Sequence, residues 1–120
     1  MENRYCVQFF EKDDGTAPAL DFINSLDDKL AAKTYRILRM IEESGPEVRE
    51  PHSSHLTDGI FEVRARIGTN LARVLYFFVI GKRVIATHGF VKKTQKTPPS
   101  EIHRAIAYRK EFMEKEARKK

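Results

Sequence analysis

Eight side chains in the second half of the chain have the types and the spacing to handle a phosphate. Arg64 and Arg66 alternate along one stretch, and Arg73 stands in an otherwise apolar one. His88, Phe90, Lys92, Lys93 and Lys96 then follow in quick succession. Arginine grips a phosphate through parallel N–H donors, while lysine supplies a less directional charge. Such contacts position RNA and also stabilise charge on a transferring phosphoryl group. A histidine of ordinary pKa exchanges protons near neutrality. These parts offer a route to RNA cleavage without a metal, in which the ribose 2′-hydroxyl attacks the adjacent phosphate. The protein would align the chain, exchange protons and supply a preorganised field. DNA lacks the attacking hydroxyl.

Arg73, His88, Lys92 and Lys93 are accordingly the candidate catalytic residues, and Arg64, Arg66, Lys96 and Phe90 the candidate RNA contacts. Plainer readings stand beside these. The cations can form an exposed face that aids solubility, and His88 can be a strand-end histidine bonded to backbone. Phe90 can pack under the basic loop instead of stacking on a base.

Other chemistries find less support. His52 and His55 have no cysteine or acidic companion at ligand spacing, and Cys6, the only cysteine, is remote from them. No zinc site is expected from that set. The chain has no Walker-type phosphate loop, dinucleotide fingerprint or nucleophile elbow. Glu62 and Glu101 show no distinctive pairing and read as solvated charge or a local helix cap. His103 reads as a surface residue of the last helix.

Regular elements must hold these residues in place. Tyr5, Val7 and Phe9 alternate with Cys6, Gln8 and Phe10, the pattern of a short strand. Thr16 is placed to cap a helix carrying Pro18 in its first turn and burying Ala19, Phe22, Ile23 and Leu26. Asp27 and Asp28 break it and cap a second helix striped by Leu30, Thr34, Ile37, Leu38 and Ile41, which stops around Ser44-Gly45-Pro46. The tight joint predicts an antiparallel helical hairpin. Residues 46–58 read as a loop. Ile60 to Ile67, Leu71 to Ile80 and Arg83 to His88 read as three strands of a meander, with Gly68-Thr69-Asn70 and Gly81-Lys82 as turns. A terminal helix begins around Ser100, its apolar side interrupted near Arg109, and its lysine-rich end is expected to fray.

The expected fold is α+β: one layer of helices over a mostly antiparallel sheet, around one core. The terminal helix either packs on this unit or stays partly mobile as a partner-binding element. At 120 residues, a single domain spanning 1–120 is expected. The net charge of +5 is unevenly spread. Residues 1–60 carry seven basic and twelve acidic side chains, whereas residues 61–120 carry fifteen and five. That asymmetry suits a polyanion partner if the later charges converge. No apolar run approaches the roughly 20 residues of a membrane span, and Met1-Glu2-Asn3-Arg4 does not open a signal peptide. A cytoplasmic protein with no membrane contact is expected, in keeping with a lone cysteine.

Three segments together carry a family likeness. They are Leu56-Thr57-Asp58-Gly59-Ile60-Phe61-Glu62-Val63-Arg64, Ala72-Arg73-Val74-Leu75-Tyr76-Phe77-Phe78, and His88-Gly89-Phe90-Val91-Lys92-Lys93-Thr94-Gln95-Lys96-Thr97-Pro98. In order and spacing the chain resembles the phage Gp49-like, HigB-type branch of the RelE/ParE toxin superfamily. The resemblance implies a RelE/ParE-like fold and the toxin of a type II toxin–antitoxin pair. It further implies a ribosome-dependent mRNA interferase that needs no metal or organic cofactor. Its implied partners are the ribosome with translated mRNA and a cognate HigA-like helix-turn-helix antitoxin, with DNA contacted only through the antitoxin complex.

Residue by residue, Arg73 matches the family's phosphate-binding arginine, and Arg64 the basic residue of the preceding strand. Lys92, Lys93 and Lys96 match the basic segment after Gly89. Glu62 stands where some relatives are basic, the late loop has Lys where others use Arg, and Tyr108 is the helix aromatic that could approach the site. Two rivals share the pattern: a ParE-like toxin that inhibits gyrase by binding it, and a noncatalytic nucleic-acid-binding module.

Overall fold

The computed structural model describes residues 4–91 and 96–119. In chain order it has β1 (Cys6–Phe9), α1 (Pro18–Asn24), α2 (Asp28–Ser44), one 3₁₀ turn (Gly45–Glu47), β2 (Ser53–Thr57), β3 (Ile60–Ile67), β4 (Asn70–Val79), β5 (Arg83–Val91) and α3 (Pro99–Arg118). The strands form one sheet in the order β1-β5-β4-β3-β2, with β1 parallel to β5 and the other neighbours antiparallel.

Strand β4 is nearly continuous in apolar residues because both of its faces are covered. Val74 and Tyr76 point to one side, where they join Val63, Ala65, Val84 and Ala86 beneath Ile23 of α1 and Leu30, Ile37, Leu38 and Ile41 of α2. Leu75 and Phe77 point to the other, where they meet Ile60, Ile85, Phe10 and Ala105 of α3. The expected single core under one helical layer is therefore corrected. Helix α3 is a third layer with a core of its own, since β4 presents two apolar faces and each needs a cover.

The expected stripe of α2 is buried residue for residue. Asp27 caps that helix, its side chain accepting from the Leu30 amide at 2.9 Å, a contact generally worth about 1 kcal/mol. Gly45 ends it at φ 57°, and a Cβ there would stand 2.3 Å from the Tyr5 ring. Thr16 does not cap α1. Its hydroxyl and amide both bond Asp14, and Ala17 holds the cap position without a side-chain bond.

Part of the expected loop is strand β2, whose residues Ser53–Thr57 pair with β3. Polar residues and Pro51 hide it in the sequence, yet an edge strand needs only one apolar face. Strand β5 runs on to Val91, so Gly89 and Phe90 belong to the sheet and not to a loop. Where the sequence predicts a fraying tail, α3 stays helical to Arg118, and two ion pairs tie its last turns to the body. Glu116 pairs with Arg83 at 2.9 Å, and Lys115 with Asp13 at 3.0 Å. Arg109, which interrupts the apolar side of α3, donates from Nη1 to the Asp58 carbonyl at 2.6 Å and pairs with its carboxylate at 3.0 Å. It thereby clamps the β2–β3 turn.

Candidate functional site

Alternation along β3 puts Ile60, Glu62, Arg64 and Arg66 on the α3 side of the sheet, opposite Val63 and Ala65. The β3–β4 register sets Arg64 directly across from Arg73. On its other flank Arg73 faces Phe90 of β5, and Leu75 faces His88. His88 reaches that side because the β4–β5 register shifts between Leu75 and Tyr76. Tyr76 pairs with Ala86 and Leu75 with His88, so Thr87 is the extra residue of a bulge. The Thr87 hydroxyl donates to the Leu75 carbonyl at 3.1 Å and fills the gap.

Arg64 and Arg73 as cross-strand neighbours would repel one another. Glu62 stands between them, with Oε1 3.9 Å from Arg73 Nη1 and Oε2 3.7 Å from Arg64 Nε. Both Glu62 and Arg73 are buried, Arg73 completely. Thr97, just before α3, closes the cluster. Its hydroxyl accepts from Arg73 Nη1 at 3.1 Å and donates to Glu62 Oε1. Burial pushes the Arg73 guanidinium below its ordinary pKa, Glu62 works against that, and Arg64 and Arg66 add to it.

His88 is also buried, and both ring nitrogens are engaged. Nδ1 lies 3.1 Å from the Thr87 hydroxyl and Nε2 3.0 Å from Glu101 Oε1, in the first turn of α3. The Tyr108 ring meets it edge-on, with centroids 5.7 Å apart, and the Phe90 ring stacks on it at 6.2 Å. Burial pushes the imidazole below the usual histidine pKa. The bond and charge of Glu101 oppose that shift, and Arg104 reinforces it.

The sheet thus brings together Arg64, Arg73, His88 and Phe90. Arg66 is exposed one step along β3, and Lys96 is exposed beside Thr97. Lys92 and Lys93 lie outside the described residues. Among the described residues, no three His, Cys, Asp or Glu side chains gather as a metal-binding group, and no helix is long and apolar enough to cross a membrane.

The family model described as phage derived protein Gp49-like (DUF891) matches residues 21–110. The chain belongs to the Gp49-like family. No curated protein matches it. The Gp49-like span holds Glu62, Arg64, Arg66, Arg73, His88, Phe90, Thr97, Glu101 and Tyr108, so every group of the cluster lies inside it.

Two of those residues correct the sequence reading. Glu62 and Glu101 are not solvated charges, for one is the shared counter-ion of two arginines and the other anchors His88. The alternation of Ile60, Glu62, Arg64 and Arg66 already placed Glu62 on the arginine face. Glu101 carried no comparable signal, because its partner depends on the bulge at Thr87. Thr97 had none either.

Gly89 has a packing reason within the Gp49-like sheet. A Cβ there would stand 2.3 Å from the Phe22 ring of α1 and 2.8 Å from the Arg73 carbonyl. The bare backbone lets α1 close against β5 and leaves Arg73 undisturbed on the other face.

Chemically, the cluster is a preformed anion site that already holds an anion. Two guanidinium groups and a hydroxyl converge on one carboxylate in a water-poor setting, where charge–charge terms are stronger than in water.

Proposed function

We propose that this Gp49-like protein is the toxin of a type II toxin–antitoxin pair and cuts translated messenger RNA on the ribosome. The observation that carries the reading is the pair Arg64 and Arg73, facing each other across β3 and β4 with one carboxylate between them. An RNA phosphate of like charge exchanges with Glu62 for these two cations and the Thr97 hydroxyl. The scissile phosphate then gains two charge-assisted donors as negative charge builds on it. Attack by the 2′-hydroxyl forms the new oxygen–phosphorus bond, the bond to the 5′-oxygen breaks, and one proton moves from the first oxygen to the second. No metal or organic cofactor has a step in this route.

In this reading Arg73 is the central phosphate contact, and Lys92 and Lys93 assist charge or proton transfer. Proton transfer by His88 requires its release from Glu101 on substrate binding. Arg66, Lys96 and Phe90 hold the flanking RNA. The partners are the ribosome and a HigA-like helix-turn-helix antitoxin, which brings the complex to DNA in the cytoplasm. Primer extension on a translated message tests the reading: new 5′ ends appear only when ribosomes and the protein are both present.

One observation favours a second reading, a ParE-like toxin that inhibits gyrase by binding it. Arg73 is fully buried and both His88 nitrogens are engaged within the fold, which suits a protein that acts through its surface alone. Inhibition of gyrase supercoiling by the purified protein, with no new message ends, replaces the first reading with this one.

A further inference from the structure

Beyond the Arg73 cluster, the outer edge of β3 carries a second group of cations. Strand β2 covers β3 only from Ile60 to Val63, and one more bond, from the Arg64 amide to the His52 carbonyl at 2.9 Å, ends the coverage. Past that point a notch of about 330 Å³ opens, lined by Lys33, His52, Arg64, Arg66, Gly68 and Leu71. Lys33 reaches it from α2, its ammonium donating to the Arg66 carbonyl at 2.8 Å. That bond uses one of three N–H donors and fixes the charge at the rim.

No carboxylate lines the notch. Among the described residues none lies within 4.0 Å of the Lys33 or Arg66 charged groups. Three permanent cations therefore surround a concavity whose wall includes the buried Leu71. Such a shape focuses positive potential outward. It is roomy enough for a sugar–phosphate unit, at the small end of the roughly 300–1,000 Å³ range of ligand pockets. Arg64 lines this notch and also faces Arg73 across the sheet, so the two anion sites are continuous over β3.

We propose that the notch holds an RNA backbone phosphodiester next to the one at Arg73, with Lys33 as its dedicated contact. The inference rests on the RNA reading above. Lys33 belongs to the acidic half of the sequence, where a charge count would not look for it; α2 carries it to the open edge of β3, beside the arginine face.

The test is the salt dependence of binding of a labelled single-stranded 2′-O-methyl oligoribonucleotide, which cannot be cut, to the full chain without ribosomes. Lys33→Gln is expected to lower the slope of log K against log salt by about 0.7, the loss of one single-strand phosphate contact. Lys33→Arg keeps the slope, as does Lys12→Gln, a charge-matched change at an exposed position outside the notch. An unchanged slope in a folded Lys33→Gln protein overturns the proposal, as does failure of the wild type to bind. Inorganic phosphate that displaces the oligonucleotide where chloride of equal ionic strength does not makes this a free-oxyanion site and overturns the RNA assignment. Message cleavage is scored separately. Cleavage with an unchanged slope removes only the notch, and a lowered slope without cleavage removes only the nuclease reading.

Discussion

Glu62 Oε1 stands 3.9 Å from Nη1 of Arg73, both side chains buried, with the Thr97 hydroxyl bonded to each. A carboxylate so placed neutralises a buried guanidinium. If an RNA phosphate binds Arg73 as proposed, it takes the place of that carboxylate, and stability and substrate binding then pull Glu62 in opposite directions.

Glu62→Gln removes the competing charge and keeps a polar group of the same shape. The folded state is expected to lose about 1–3 kcal/mol, the range for disturbing a buried charged hydrogen bond, read as a lower urea midpoint. Binding of a non-cleavable oligoribonucleotide is expected to tighten several-fold. Weaker binding by a folded variant contradicts the exchange of carboxylate for phosphate.

Arg73→Ala takes from Glu62 the fully buried one of its two cations, leaving Arg64 and the Thr97 hydroxyl, and is expected to cost about 3–5 kcal/mol, as breaking a buried pair does. Loss of activity in that variant would report on folding as much as on chemistry. Arg73→Lys keeps the charge but not the forked donors. It is expected to fold, with a native circular dichroism spectrum, and to lose at least about tenfold in message cleavage, the equivalent of about 1.4 kcal/mol.

Much of this arrangement was legible in the sequence. Strict alternation over Ile60–Ile67 placed the strand and its arginine face, and the periodicity of Leu30 to Ile41 placed the α2 stripe, because each element has one wet and one buried side. Arg73 stood out within the apolar run of β4, but the cover that this run needs on its second face, α3, was not drawn from it. What escaped was whatever depends on contacts far apart in the chain. The side to which His88 points is set by one bulge residue, Thr87, for which no local pattern exists. Thr97 sits in a proline-flanked stretch and gains its role only when the chain crosses Arg73. Strand β2 is polar and short, and forms because the β3 edge offers it partners. Arg109 looked like a flaw in an amphipathic helix until the β2–β3 turn was found beneath it.

His88 gives the protein an acid-sensitive joint between β5 and α3. Its pKa is lowered in the folded state from 6.5, so the unfolded chain binds the proton more readily. The contribution is complete above about pH 6.5 and is lost as pH falls from there toward the folded value, at a slope of at most about 1.4 kcal/mol per pH unit. The lowered carboxyls of Asp14 and Glu116 act mainly around and below their ordinary values of 3.8 and 4.5, so the histidine is followed at the upper end, between about pH 5.5 and 6.5. Urea midpoints across that interval are expected to fall on acidification in the wild type and to flatten in His88→Gln. A wild-type midpoint that rises on acidification contradicts the sign.

Gly89→Ala drives a methyl group into the Phe22 ring and the Arg73 carbonyl. A cost of about 1–3 kcal/mol is expected, the range for overpacking. Phe22→Leu in the same chain is expected to recover part of it, so a double-mutant cycle should show coupling. Additive losses would mean that α1 does not press on β5 at this point.

The most direct measurement maps 5′ ends on a message being translated in a purified system, with wild type and with folded Arg73→Lys. New ends within the translated region are expected for the wild type, absent without ribosomes and at least about tenfold fewer with Arg73→Lys. A wild-type protein that makes no new ends on translating ribosomes, or an Arg73→Lys protein that cuts as well as wild type, contradicts an RNA phosphate at the Arg64–Arg73 pair.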